Sequence, residues 1–331
     1  MEETKNPQHL ATTSDAGGGG DARGYDALQT GAALVDHPGR RLLRLSGKDP
    51  VGMLNAVLTN EVPKETGLGA YALLLNPKGR IQTDLRVLKS GEDVLVVTES
   101  EGADAAREIL GRYAPFSRVK LEDLSRGVAP WSALGLYGPD APRLLAGLQL
   151  AEHESAQTEV GGATLLAAGV ALPIPGFDLL GPADALSAAR ESLLRNGAVA
   201  AMRDAYETAR VEAGVPLFGA DMTPENFPAE AGVLDRAVDF TKGCYPGQET
   251  VARMHYRGHP NRTLRRFVVG GPPPVPGAGI LQAGKQVGMV TTVAPLPLTG
   301  HTFALGYLHR KADPDAPLDA EEAKLRLLDR D

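Results

Sequence analysis

The chain has 331 residues, of which 43% are hydrophobic, 23% charged and 5% aromatic, a balance that suits a globular protein of two or three domains. A net charge of −7 argues against wholesale wrapping of nucleic acid, and the single cysteine excludes an internal disulfide framework, a zinc finger and any cluster held by this chain's cysteines alone. No apolar run reaches the roughly 18 residues that a membrane span needs, so none is expected, and a reducing, cytoplasmic location follows.

Residues 1–26 hold a run of glycines and many polar side chains, which predicts a disordered arm. Leu42-Leu43-Arg44-Leu45 predicts a strand, and Asp49-Pro50 opens a helix with Val51, Leu54, Val57 and Leu58 on its apolar face. Residues 71–75 read as a buried strand, Asn76-Pro77-Lys78-Gly79 as a hairpin turn and residues 81–87 as the returning strand. A strand at 94–97 and a helix at 103–113 follow. The middle repeats the theme, with strands at 131–137, 164–170 and 176–180 and helices at 141–148, 183–196 and 201–213, the last closed by Gly214. Beyond about residue 264, short strands at 265–269, 287–292, 303–308 and 323–328 lie among prolines and glycines and argue for a small all-β unit. The class is α+β, built from antiparallel hairpins rather than repeated βαβ units.

The cysteine, Cys244, lies in Lys242-Gly243-Cys244-Tyr245-Pro246-Gly247-Gln248-Glu249. Glycine and proline on both sides predict a tight loop that displays the thiol. Lys242 and Arg253 are the cations expected to favour the thiolate, the reactive form of the side chain. The bland alternative is a small buried apolar residue. Arg253, Arg257, Arg262, Arg265 and Arg266 follow within a stretch free of acids, a strip suited to a phosphate, a polyglutamyl tail or RNA backbone, or simply to solvent. His255 and His259 do not make a zinc helix motif, because Tyr256 stands where the glutamate belongs and Gly258 and Pro260 interrupt the helix.

Residues 242–258 closely resemble the signature of the YgfZ family, the folate-binding relatives of the glycine-cleavage T-protein. Further blocks resemble the family in order: Thr59-Asn60-Glu61-Val62, the stretch from Gly69 through Asn76-Pro77-Lys78-Gly79-Arg80-Ile81 to Asp84, Gly135-Leu136-Tyr137-Gly138-Pro139, Arg210-Val211-Glu212-Ala213-Gly214, and Phe227-Pro228-Ala229-Glu230. The resemblance implies a three-lobed ring with two intertwined α/β lobes over residues 27–262 and a small β-barrel over 263–331. It implies tetrahydrofolate or a derivative as cofactor. The site residues expected on this likeness are Cys244 as the acting group, with Lys242, Gly243, Tyr245, Gln248, Glu249, Arg253, Tyr256, Glu212, Arg210 and Tyr71 around the folate.

The chain departs from the T-protein itself. On this likeness the carboxylate that grips the pterin there falls at or near Ile174 here, leaving Glu212 or Glu230 as substitutes, and the catalytic aspartate falls near Asp104. The implied role is an accessory protein for assembly or repair of iron–sulfur clusters, with iron–sulfur client or assembly proteins as partners, including enzymes that modify tRNA. The alternatives are a folate-dependent aminomethyl or one-carbon transferase using Asp104, and a noncatalytic RNA or protein adaptor using the arginine strip.

Overall fold

A computed structural model describes residues 18–297 and 301–328. The chain opens with helix α1 (Gly18–Thr30) and strand β1 (Ala33–Asp36). Next come β2 (Arg40–Gly47), α2 (Pro50–Asn55), β3 (Ala70–Leu75), β4 (Ile81–Ser90), β5 (Asp93–Glu99), α3 (Ser100–Tyr113) and β6 (Val119–Asp123). A second group follows: β7 (Trp131–Tyr137), α4 (Ala141–Leu144), β8 (Ser155–Val160), β9 (Ala163–Val170), β10 (Gly176–Pro182), α5 (Ala183–Arg195), β11 (Val199–Ala201) and α6 (Arg203–Ala213). After α7 (Leu234–Ala237) and α8 (Gln248–Arg257) come β12 (Arg262–Gly270), β13 (Gly279–Gln282), β14 (Lys285–Val293), β15 (Thr302–His309), β16 (Leu318–Ala320) and β17 (Ala323–Leu327).

These elements form the α+β architecture expected from the sequence: two sheet lobes and a C-terminal barrel. One sheet has five strands in the order β3-β4-β5-β2-β6, the other six in the order β11-β1-β7-β10-β9-β8, and β12 to β17 close into a barrel. Alternation in β4, where Ile81, Thr83, Leu85 and Val87 point inward, lets one face pack on α2 and α3. The two sheets meet through Leu42, Leu88 and Leu95 on one side and Leu166, Ala168 and Leu180 on the other. Asp221 ties the barrel to α6. Its carboxylate accepts from Arg210 Nη1 at 2.7 Å and from the hydroxyls of Thr291 and Thr292 on β14.

Several expectations need correction. Residues 18–26, assigned to the arm, open α1, because Ala27 and Leu28 bury against Ala33, Tyr137 and Ala205; residues 1–17 lie outside the described chain. Helix α4 stops at Leu144 instead of residue 148, since Ala146 and Gly147 both take positive φ. Residues 248–257, expected as part of a loop, form α8, whose Val251 is buried.

Candidate functional site

A cavity opens where β4 and β5, the β9–β10 connection, α6 and residues 215–217 converge. Its enclosed part holds about 120 Å³ and opens into a wider mouth.

Its floor is ionic. Asp178, 1% exposed, sits in the otherwise apolar strand β10. Arg40 Nη1 lies 2.6 Å from its Oδ1, Arg86 Nη1 pairs with its Oδ2, and the Tyr137 hydroxyl donates to Oδ1. Burial alone would push the Asp178 carboxyl up, but the Arg40 and Arg86 charges overcome it and hold the group well below the ordinary carboxylate range. Tyr137 gives its only proton to Asp178, so His37 Nε2, 2.8 Å from the Tyr137 oxygen, must be the donor of that contact. Burial and Arg40 keep His37 neutral.

The wall combines acids with aromatic rings. The Tyr71 hydroxyl donates to Asp84 Oδ2 at 2.9 Å. Burial pushes the Asp84 carboxyl up to about 6, with Glu99 adding to the effect. The Tyr71 ring stacks on His153, with centroids 6.3 Å apart, and carries the Arg236 guanidinium 5.3 Å from its own centroid. Arg236 in turn pairs with Glu152 at 2.6 Å.

Among the described residues, three buried side-chain nitrogens make no hydrogen bond: Arg40 Nη1, Arg86 Nε and His153 Nδ1. All three belong to this cavity's wall. Arg40 Nη1 still has its ion pair with Asp178, close in distance but off the angle of a hydrogen bond. Buried polar groups are rarely left unsatisfied, and such groups concentrated in one cavity mark a place built for a polar ligand. The aromatic walls, the half-buried Asp84, and Arg203 and Arg236 suit a flat, nitrogen-rich ring with an anionic tail, so the residues present fit a folate.

The thiol segment contributes no residue to the cavity lining. Gly247 takes φ +83 and packs on the β3–β4 turn so closely that a Cβ would stand 2.6 Å from the Asn76 carbonyl oxygen. Tyr245 is buried among Leu73, Leu75, Ile81 and Phe218. Lys242 Nζ donates to the carbonyls of Asn55 at 2.9 Å and Leu58 at 2.6 Å, just where α2 ends. Cys244 is exposed, as the loop chemistry predicts, but does not line the cavity.

Of the expected site residues, the cavity therefore gathers Tyr71 and Arg210. Lys242 spans to α2, and two of its three donors go to carbonyls there. Gly243 is exposed beside Cys244, and Tyr245 is core. Gln248 and Glu249 occupy the first turn of α8, with Arg253 and Tyr256 exposed further along it. Tyr256 and His255 extend a ring cluster from Phe240, whose centroid is 4.1 Å from that of His255.

Both proposed substitutes for the pterin carboxylate fall outside the cavity. Glu212 accepts from the Tyr25 hydroxyl, and Glu230 accepts from the Phe227 N–H while pairing with Arg262. Asp104 is a surface residue paired with Arg107 at 2.8 Å; the acids that line the cavity are Asp84, Glu99, Glu152, Asp178 and Glu207. The arginine strip does not survive as one surface, because Arg262 pairs with Glu230 and Arg266 donates to the Glu212 carbonyl. The sequence reading missed His37, Arg40, Arg86, His153, Asp178 and Arg236. A visible signal existed for Asp178: a carboxylate inside the apolar run Phe177-Asp178-Leu179-Leu180 needs a buried cation.

A family described as the GCVT N-terminal domain matches residues 18–242. The chain belongs to that family. It is 29% identical to an aminomethyltransferase of Saccharopolyspora erythraea, over 91% of this chain and 86% of that one. It is 30% identical to an aminomethyltransferase of Thermus thermophilus, over 84% and 79% of the two chains. It is also 30% identical to the tRNA-modifying protein YgfZ of Yersinia pestis, over 72% and 71%. The crystal structure of the glycine cleavage system aminomethyltransferase T from Bartonella henselae shares the fold, with a TM-score of 0.80 over 93% of this chain and 88% of that one at 21% identity. Among the described residues no helix is long and apolar enough to cross a membrane.

Proposed function

We propose that this chain is a YgfZ-type accessory protein that holds a reduced folate in the central cavity and presents Cys244, on a separate face, to iron–sulfur partners. The observation that carries the folate half is the set of buried nitrogens without a hydrogen bond in a cavity walled by Tyr71, His153 and acids. When bound, a reduced folate supplies a carrier for a one-carbon unit; the protein's residues supply stacking, charge and fixed donors. The thiol half is supported by an exposed sulfur on a loop seated firmly against the β3–β4 turn, and by likeness to a YgfZ protein named for tRNA modification. Such a sulfur is accessible as a ligand or nucleophile toward an external cluster. Anaerobic calorimetry with tetrahydrofolate tests the first half, with equal affinity expected for the wild type and Cys244→Ala. Absence of binding refutes it. Complementation tests the second: full recovery of iron–sulfur enzyme activity by Cys244→Ala in cells lacking the native protein removes the thiol from the account.

A second reading, one-carbon transfer, is favoured by Asp84, a half-buried carboxyl pushed up to about 6 within the cavity. It predicts turnover of a methylamine donor with tetrahydrofolate, lost in Asp84→Asn and unaffected by Cys244→Ala.

A further inference from the structure

Two of the residues that carry an unbonded nitrogen, Arg86 and His153, are pinned to one oxygen through other atoms. The Gly169 carbonyl accepts Arg86 Nη2 at 3.0 Å and the backbone N–H of His153 at 3.0 Å. Arg86 Nη1 is held on the Asp178 carboxylate. A planar guanidinium fixed through both terminal nitrogens cannot turn to find another acceptor, so its Nε–H points one way and can only donate. His153 is equally constrained. It takes φ +66, a left-handed conformation uncommon outside glycine, and its ring stacks on Tyr71.

The two nitrogens differ in kind. Burial, then the Arg86 and Arg236 charges, push His153 down to about 3, so its ring is neutral at pH 7 and carries one N–H. Nε2 faces Glu152 Oε1 at 3.8 Å. A carboxylate on that side favours the N–H there and leaves Nδ1 a bare acceptor. Arg86 Nε donates; His153 Nδ1 accepts.

We propose that Arg86 Nε and His153 Nδ1 form a donor–acceptor pair that reads a lactam edge, a ring carbonyl beside a ring N–H, as on the 4-oxo side of a pterin. The inference rests on the folate reading above and specifies which edge of the ligand this wall recognises. The ligand carbonyl accepts from Arg86 and the neighbouring N–H donates to His153. A 4-amino ring inverts both polarities, setting donor against donor and acceptor against acceptor. The pair also accounts for Ile174, which stands where the T-protein has its pterin carboxylate and is packed with Tyr137 and Tyr206 in an apolar cluster. Recognition of the ring edge has moved to a fixed donor on β4 and a neutral acceptor in the segment before β8.

The test is anaerobic calorimetry with tetrahydrofolate and its 4-amino counterpart, which differ only at this edge. Wild type is expected to favour the 4-oxo ligand about tenfold or more, the usual cost of mismatching buried hydrogen-bond partners. His153→Leu brings the two ligands within about threefold of each other. His153→Asn, which tolerates positive φ and places an acceptor oxygen near the Nδ1 position, retains the preference. Equal wild-type affinities, or an unchanged preference in His153→Leu, overturn the lactam assignment while leaving folate binding intact. Failure of wild type to bind either ligand overturns both. Where His153→Leu does not fold, the wild-type comparison decides alone.

Discussion

Tyr71 and Asp84 share a hydrogen bond of 2.9 Å across neighbouring strands β3 and β4, and both line the central cavity. Tyr71 stands directly opposite Arg86 in the antiparallel register, so Asp84 is its diagonal neighbour and all three present to one face. Two short strands thereby place an aromatic surface, an acid and a fixed cation within one wall, without any loop having to be ordered.

Asp84 makes stability depend on pH in a defined direction. Its folded pKa, raised by burial to about 6, stands above the ordinary value, so the folded state binds the proton more tightly than the unfolded chain. The resulting stabilisation is complete below about pH 4 and is lost as pH rises through about 6. Asp84→Asn keeps an acceptor for Tyr71 and removes the charge. The variant is expected to match wild type near pH 4 and to exceed it near pH 8 by on the order of 2–3 kcal/mol. Urea unfolding of both proteins at the two pH values measures the difference; equal stability at pH 8 contradicts a buried ionised carboxylate.

Asp178 works with the opposite sign. Arg40 and Arg86 outweigh the burial that would raise it and hold it below its ordinary range, so its contribution is present above about pH 4 and lost only as pH falls well below that. Asp178→Asn leaves two buried guanidinium groups without a counter-charge. A loss of about 3–5 kcal/mol is expected at pH 7, together with loss of ligand binding as Arg86 is freed. Chemical denaturation and calorimetry check the two parts separately.

How much of this was legible in the sequence depends on where each signal resides. The β3–β4 hairpin was readable because Asn76-Pro77-Lys78-Gly79 carries its own turn chemistry between two apolar strands. The barrel was readable as short strands among Pro and Gly. Helix α8 was not, because Pro246-Gly247 reads as continuing loop when Gly247 in fact launches the helix at positive φ. The cavity was least visible. Arg86 and Asp178 are 92 positions apart in the sequence and lie in different sheets, so no local pattern joins them. Cys244 drew notice by its flanking residues, and the resemblance placed the folate site around it; of the residues so expected, the cavity lining includes Tyr71 and Arg210 and not Cys244.

Lys242 gives a prediction that separates a structural role from a chemical one. Its ammonium, with pKa lowered mainly by burial, bridges the carbonyls of Asn55 and Leu58 and so fastens the thiol segment to the end of α2. Lys242→Met keeps the stem and removes the donors. It is expected to cost about 1.5–3 kcal/mol, the usual range for hydrogen bonds from a charged group. A variant of wild-type stability in urea would show that these bonds contribute nothing.

The last prediction concerns the separation of thiol and cavity. Cys244 is exposed and absent from the cavity wall, while Tyr245 beside it is anchored in the core and Gly247 is locked against Asn76. In folded wild-type protein the thiol should alkylate without denaturant, and saturating tetrahydrofolate should leave the rate within about twofold, since a ligand in the cavity does not cover it. Gly247→Ala should behave differently. A Cβ there meets the Asn76 carbonyl at 2.6 Å in a backbone conformation that costs a non-glycine residue about 1–2 kcal/mol. The segment must shift, and the labelling rate with it, while folate affinity stays as in wild type. Timed iodoacetamide labelling read by intact-mass spectrometry, with and without tetrahydrofolate, measures both effects. Strong protection of wild-type Cys244 by the ligand would instead place the sulfur beside the folate and join the two halves of the site.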